Sequence, residues 1–297
     1  MASRTSTIGQ CLSHNPGVPL PDYVNPHGWV AASELGPTTS LIAPPKFAED
    51  VPAIRWIVHA ANVVNEIRHH VAMARPPYDP LNDEHVSLEE RSVYHGGEAD
   101  VVRTSGIYLL HPVHQALDAL PTVHGTIRVQ AEVQSNRLRT DLTYYKSTAA
   151  SGTYRPFAVI EFKRRGILNP SDFLHAVKAI NNSNQTTRDA SINKHVNDAK
   201  ATTGQNTFFV NNSLKGLKQI SAYAMNNRTQ YCALFDWDAL VLVRFLEVDP
   251  TKTVADCQRA GIGRYCEMTY IPNRDSHLMR PALLGFLQQA YANTPPV

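Results

Sequence analysis

Apolar positions along the chain fall into blocks of two different periods. From Val51, the residues Ile54, Ile57, Ala61, Val64, Ile67 and Val71 recur at helical spacing, which predicts an amphipathic helix ending before Arg75-Pro76-Pro77. A polar loop follows over 75–86, and Ser87-Leu88-Glu89-Glu90 then fits a capping box opening a short helix. After Gly96-Gly97 comes a second helical run, EADVVRTSGIYLL, expected to break or kink at Pro112. The period then drops to two. Ile127, Val129, Ala131 and Val133 share one face of a strand over 126–133, and Ser135-Asn136 turns the chain into LRTDLTYYK, 138–146, as a partner strand. A Ser/Gly/Thr loop leads to a third strand, RPFAVIEFK, 155–163. Residues 171–180 read as helix, and 181–207, rich in Asn and Thr, as irregular structure or a mobile polar insertion. A helix over 213–227, a hairpin over 229–248 turning near Asp236-Trp237-Asp238, and a terminal helix over 279–292 complete the pattern.

Residues 1–50 carry no sustained period and are rich in Pro, Ser, Thr and Gly, so they are expected to form an N-terminal extension lying over the surface or partly disordered. Residues 51–297 are expected to form one domain with an N-terminal helical elaboration. Helices, three strands, a helix and two more strands predict an α/β fold with a mixed central sheet flanked by helices. No internal repeat interrupts it.

Composition narrows the class only a little. With 297 residues, 43% hydrophobic and 18% charged, the chain has the balance of an ordinary globular protein. A net charge of +2 neither announces nor excludes a nucleic-acid partner, because a local groove matters more than the total. No apolar run approaches the ~18–20 residues that span a bilayer, so no membrane partner is expected. The first residues lack the apolar core of a secretory signal. Cys11, Cys232, Cys257 and Cys266 have no CxxC spacing and read as reduced thiols of a cytoplasmic or nuclear protein, with a Cys257–Cys266 disulfide as the alternative.

The chemistry concentrates in FAVIEFKRR, 157–165. An apolar strand runs straight into an acid and three bases. On a strand, Glu161 and Lys163 share a face and Phe162 lies opposite. The bland reading is a strand fraying into charge at a sheet edge. Asp141, 20 residues upstream on the preceding strand, favours another. Two carboxylates and a lysine at one sheet end suit a hard dication such as Mg²⁺, which needs only one or two carboxylates when waters and phosphate complete its shell. Gln219 and Tyr223, in QISAY, are four apart and share a helix face that Lys215 extends.

RTD, 139–141, followed by IEFK, 160–163, resembles the signature of the PD-(D/E)XK nuclease superfamily, with Thr140 where the eponymous proline would stand. QISAY resembles the Q-x-x-x-Y motif of its RecB-type exonucleases. EADVVR followed by these motifs is similar to fungal nuclease-like domains, such as those of Crinkler-type and spore-killer proteins. The likeness spans roughly residues 90–247. It implies a restriction-endonuclease-like core and a nuclease acting on DNA. Mg²⁺ or Mn²⁺ would be held by Asp141, Glu161, the main-chain carbonyl of Phe162 and a third acid, Glu98 with Glu66 as competitor. Lys163 would serve the attacking water and the transition state, while Gln219 and Tyr223 position phosphate or the catalytic side chains. Two rivals stand beside this: an effector that keeps the fold and binds nucleic acid or protein without catalysis, and a nuclease directed at RNA. A homodimer is left open.

Each residue alone has a plainer reading. Asp141 would be a turn or edge residue, Gln219 and Tyr223 a half-buried amphipathic face, and Glu98 a first-turn acid favoured by the helix dipole. Arg164-Arg165 fits DNA-backbone contacts or surface ion pairs equally. His69-His70 and His111-Pro112-Val113-His114 lack cysteine partners at zinc spacing. GIGRY, 261–265, lacks the preceding strand of a dinucleotide fingerprint and reads as a turn.

Overall fold

The computed structural model describes residues 5–12, 35, 44–73, 79–83, 85–87, 97–121, 123, 126–135, 138–147, 152–180, 184–249, 251–253, 255–256 and 265–295. In chain order, β1 (Thr5–Thr7) and α1 (Ile8–Leu12) precede β2 (Phe47–Asp50), α2 (Ile54–Met73), α3 (Pro80–Asp83) and β3 (His85–Ser87). α4 (Glu98–Ser105) runs through a π-helical turn, Gly106–Leu110, into α5 (His111–Asp118). Then come β4 (Ile127–Ser135), β5 (Leu138–Ser147), β6 (Tyr154–Phe162), α6 (Pro170–Phe173), β7 (Val177–Lys178), α7 (Gln185–Thr203) and α8 (Asn211–Asn227). β8 (Tyr231–Phe235), β9 (Ala239–Arg244), β10 (Tyr265–Pro272) and α9 (Met279–Asn293) close the fold.

Eight strands form one mixed sheet in the order β4-β5-β6-β8-β9-β10-β2-β7. The pairs β6–β8, β10–β2 and β2–β7 are parallel and the others antiparallel. A core lies on each face. One gathers Ile160, Phe162, Phe235 and Leu242 with residues of α2, α5 and α9. The other gathers Val159, Leu234, Val241 and Val243 with Leu217, Ile220 and Tyr223 of α8. Strand alternation therefore sends Ile160 and Phe162 to the first core, and Val159 and Glu161 toward α8. α2 and α9 cross closely: a Cβ on Gly285 would stand 1.8 Å from the Trp56 carbonyl oxygen, so only glycine fits there.

The expected mixed α/β sheet flanked by helices is present, with several local differences. The end of the 1–50 segment is not surface arm, because β2 sits between β10 and β7, and Ile8 and Leu12 of α1 are buried. α2 forms as expected, yet it buries Trp56, Ile57, Ala60, Val63 and Ile67 while Ile54 is exposed. Pro112 does not break the helical run, which enters α5 through the π-helical turn; the Tyr108 carbonyl, four residues before the proline, accepts instead from Arg280 Nε at 2.7 Å. The helix expected over 171–180 is short, ending in a 3₁₀ turn and β7. Most of 181–207 is helical rather than irregular, as α7. β10, which had no counterpart in the sequence reading, pairs with β9 and β2. Ser87 ends β3, while the rest of its capping box and most of GIGRY lie outside the described residues. Cys232 and Cys266 are free and buried. Among the described residues no helix is long and apolar enough to cross a membrane.

Candidate active site

β5 and β6 are adjacent and antiparallel, and their ladder ends at Leu142 opposite Ile160. Beyond it, the side chain of Asp141 replaces the ladder: its Oδ2 accepts the Phe162 N–H at 2.8 Å. On the other side of β5, the β4 register skips the step at which Glu132 would face Asp141, and Glu132 has φ of 52°, in the left-handed region. β5 and β6 thus part at Asp141, while β4 and β5 stay paired on either side of it. On β6's far side, the Lys163 N–H is held by the Phe235 carbonyl at 2.8 Å, which keeps the chain extended through the motif.

Glu161 and Lys163 project on the side of β6 that α8 covers, and both are nearly enclosed, at 3% and 4% exposure. Lys163 Nζ donates to Glu161 Oε1 at 2.5 Å and lies 3.9 Å from Glu98 Oε2. Gln219 Nε2 donates to the same Glu161 oxygen at 2.6 Å and to the Tyr223 hydroxyl at 2.6 Å. Tyr223 in turn donates to the Arg139 carbonyl at 2.7 Å. One hydrogen-bonded chain therefore joins Lys163, Glu161, Gln219, Tyr223 and the backbone of β5. The four-residue spacing of QISAY matters physically because it stacks glutamine over tyrosine on one turn of α8.

The electrostatics are unbalanced. Burial first, then the negative charges of Asp141 and Glu98, push the Glu161 carboxyl up to about 8, against the opposing pull of Lys163. Burial also raises Glu98, again with Lys163 opposing and Asp141 adding. The Tyr223 hydroxyl is raised by burial and by Glu161. Glu161 Oε2 is buried without a hydrogen-bond partner. A buried carboxylate oxygen left unmatched costs free energy; a proton, in keeping with the raised pKa, or a hard cation would relieve it. Glu161, Asp141 and the half-buried Glu98 offer the oxygen chemistry such a cation takes. Among the described residues, no group of three or more His, Cys, Asp or Glu side chains gathers closely enough to hold a metal by itself. A dication held here would need waters or phosphate oxygens to complete its shell, as Mg²⁺ commonly takes.

The sequence-derived residues fall as follows. Asp141, Glu161, Lys163, Gln219 and Tyr223 are connected through the contacts above, and Glu98 borders them at the start of α4. Glu66 is exposed on α2. Phe162 places its ring in the core at 6.2 Å from Phe235 while its backbone meets Asp141. Thr140 is buried and shares a 2.8 Å hydrogen bond with Thr143, so a hydroxyl stands at the proline position. Lys215, on the same stripe of α8, donates to the Leu35 carbonyl at 2.7 Å and so leans toward the N-terminal segment. Arg164 is exposed, whereas Arg165 is bound to Asp238. Two participants escaped the sequence reading: the Arg139 carbonyl that fixes Tyr223, and Glu132 with its left-handed backbone. A main-chain acceptor leaves no side-chain signal, and only the acid opposite Asp141 in the β4–β5 register hinted at the second. Compared with protein-family models, curated proteins and solved structures, the chain matches none of them.

Proposed function

We propose that the chain is a divalent-metal-dependent nuclease of restriction-endonuclease-like core, hydrolysing phosphodiester bonds in DNA. The observation that carries this reading is Glu161: a buried carboxylate, tied on one oxygen by Lys163 and Gln219, unmatched on the other, with Asp141 and Glu98 adding negative charge beside it. Such an arrangement costs stability unless charge arrives from outside. Glu161, Asp141, the Phe162 carbonyl and Glu98 would hold Mg²⁺ or Mn²⁺. When bound, the metal supplies Lewis-acid polarisation of the phosphodiester and a more acidic water. Lys163 places positive charge where the pentavalent phosphate would develop negative charge. Gln219 orients the Glu161 carboxylate, and Tyr223, anchored to Arg139, fixes Gln219. The test is incubation with plasmid, linear duplex, single-stranded DNA and RNA, in Mg²⁺, Mn²⁺ or EDTA. Metal-dependent cutting of DNA supports the reading, and preference for RNA would redirect the substrate.

A second reading is a nuclease-fold effector that binds without cutting, with Glu161 Oε1 already occupied by Lys163 and Gln219. It predicts nucleic-acid binding that persists in EDTA and no cleavage with either metal.

A further inference from the structure

At the opposite edge of the sheet lies a cleft that the nuclease reading does not use. β7 is five strands from β6, roughly 24 Å at ~4.8 Å per strand. Between the end of β7 and α7 the surface opens into a cleft of about 360 Å³, lined by Lys178 and Ile180 on one side and Ser191, Lys194, His195 and Asp198 on the other. α7 docks through a narrow stripe, with Ile192, His195 and Ala199 its buried side chains. A histidine in such a stripe is ordinarily a satisfied core residue. His195 is not. It is 8% exposed, packed edge-on against Phe47 at 5.0 Å and tilted against Phe208 at 4.6 Å. The Ala176 backbone engages its ring, yet Nε2 is buried with no hydrogen-bond partner.

Two ammonium groups converge on the same cleft. Lys178 and Lys194 are exposed, and neither forms an ion pair among the described residues. Asp198 is the one acid among the lining residues, so the balance is cationic. The cleft's volume is that of a small-ligand site, at the lower end of the usual ~300–1,000 Å³. An extended polyanion would call for a longer basic track.

We propose that this cleft binds a small phosphate-bearing molecule, with Lys178 and Lys194 engaging the phosphate oxygens and His195 Nε2 completing the set. Burial, then the Lys178 charge, holds the His195 imidazole below its ordinary pKa, so the nitrogen accepts from a proton-bearing phosphate oxygen, which removes the unmatched buried atom. Lysine-to-phosphate contacts are charge-assisted and supply the affinity. Nothing in this proposal depends on cleavage at Glu161.

The test is titration calorimetry on the full chain with AMP, inorganic phosphate, adenosine and a duplex oligonucleotide, alongside the His195 ring resonances in NMR. AMP and phosphate are expected to bind and adenosine not to. The His195 signals should shift on titration. The double variant Lys178→Glu/Lys194→Glu changes two exposed side chains, so it should keep its melting temperature while losing affinity by roughly tenfold or more. His195→Gln, which alters the core, is read only for binding relative to its folded fraction. Equal affinity in the lysine variant, adenosine binding as well as AMP, or unmoved His195 signals would overturn the proposal. So would oligonucleotide binding through these lysines without binding of AMP or phosphate, which would give the cleft to nucleic acid.

Discussion

Glu161 and Asp236 are both buried carboxylates at the ends of neighbouring parallel strands, flanking the register pair Phe162 and Phe235, and their surroundings are opposite. Asp236 closes a turn. Its Oδ1 accepts the N–H groups of Asp238 at 3.0 Å and Ala239 at 2.9 Å, and its Oδ2 that of Leu168 at 2.7 Å. The turn forces Trp237 to φ of 76°, and Asp238 then grips Arg165 and the Gly166 N–H. Burial still raises the Asp236 carboxyl to about 7, but three N–H groups oppose it. Among the described residues, Glu161 receives no backbone donor in its place. One of its oxygens is shared by two side chains, the other by none, and two further acids stand beside it. Equal burial therefore does not mean equal role. A carboxylate whose lone pairs are met by its own turn stabilises the fold, whereas one left unmatched among like charges is a candidate for a functional role.

Variants separate the two. Asp141→Asn has the largest expected effect: metal-dependent cleavage should disappear, because a charged ligand is lost while the amide oxygen can still accept the Phe162 N–H. Excess Mn²⁺ should restore part of it, which a dose series in Mn²⁺ checks. Lys163→Ala should lower turnover by roughly a hundredfold or more, the scale for losing a preorganised charge-stabilising group. Binding measured in Ca²⁺ should change far less, and Mn²⁺ should not rescue it. Gln219→Ala should cost about tenfold in turnover, typical of a residue that orients a ligand, with little change in melting temperature. Cleavage at the parent rate would show QISAY to be an ordinary amphipathic face. Asp236→Asn should do the reverse of all these. Its amide nitrogen would meet a backbone N–H, destabilising the fold by about 1–3 kcal/mol, while activity per folded molecule stays at the parent level.

How legible this contrast is in the sequence depends on what carries it. β5 and α8 are readable because their apolar positions recur at strand and helix period, and β6 because an unbroken apolar run, 157–160, ends in charge; the site residues ride on those patterns. α7 was not, since a helix polar on nearly all sides buries, among its described side chains, Ile192, His195 and Ala199, too narrow a stripe to outweigh its Asn and Thr content. β2 and β7 are short, and β2 follows a proline-rich stretch; their place in the sheet is set by pairing partners distant in sequence. The Asp236 turn was visible as a turn, but not as a carboxylate satisfied by three N–H groups. That Glu98 borders Lys163 while Glu66 lies exposed on α2 follows from how α4 packs beside β6, which the sequence pattern does not carry.

A smaller effect is expected in the pH dependence of stability without metal. The Glu161 pKa is raised in the folded state, so between its unfolded value near 4.5 and about 8 the folded protein binds the extra proton. Its contribution to stability is thus full at the acidic end and lost as pH rises through about 8. Asp236 contributes with the same sign up to about 7. In EDTA, the parent should lose melting temperature from pH 5 to 8.5 more steeply than Glu161→Gln, whose curve retains only the other groups. Parallel curves would mean that Glu161 is as well satisfied as Asp236.

The most direct single measurement pairs stability and cleavage in Glu161→Gln, a nearly isosteric change that keeps an oxygen for Lys163 and removes the charge. With Mg²⁺ or Mn²⁺ the parent should cut DNA and EDTA should stop it. The variant should melt at the parent temperature or above, and should not cut. A variant that cuts like the parent, or that unfolds as Asp236→Asn does, would contradict the account and make Glu161 one more structural carboxylate.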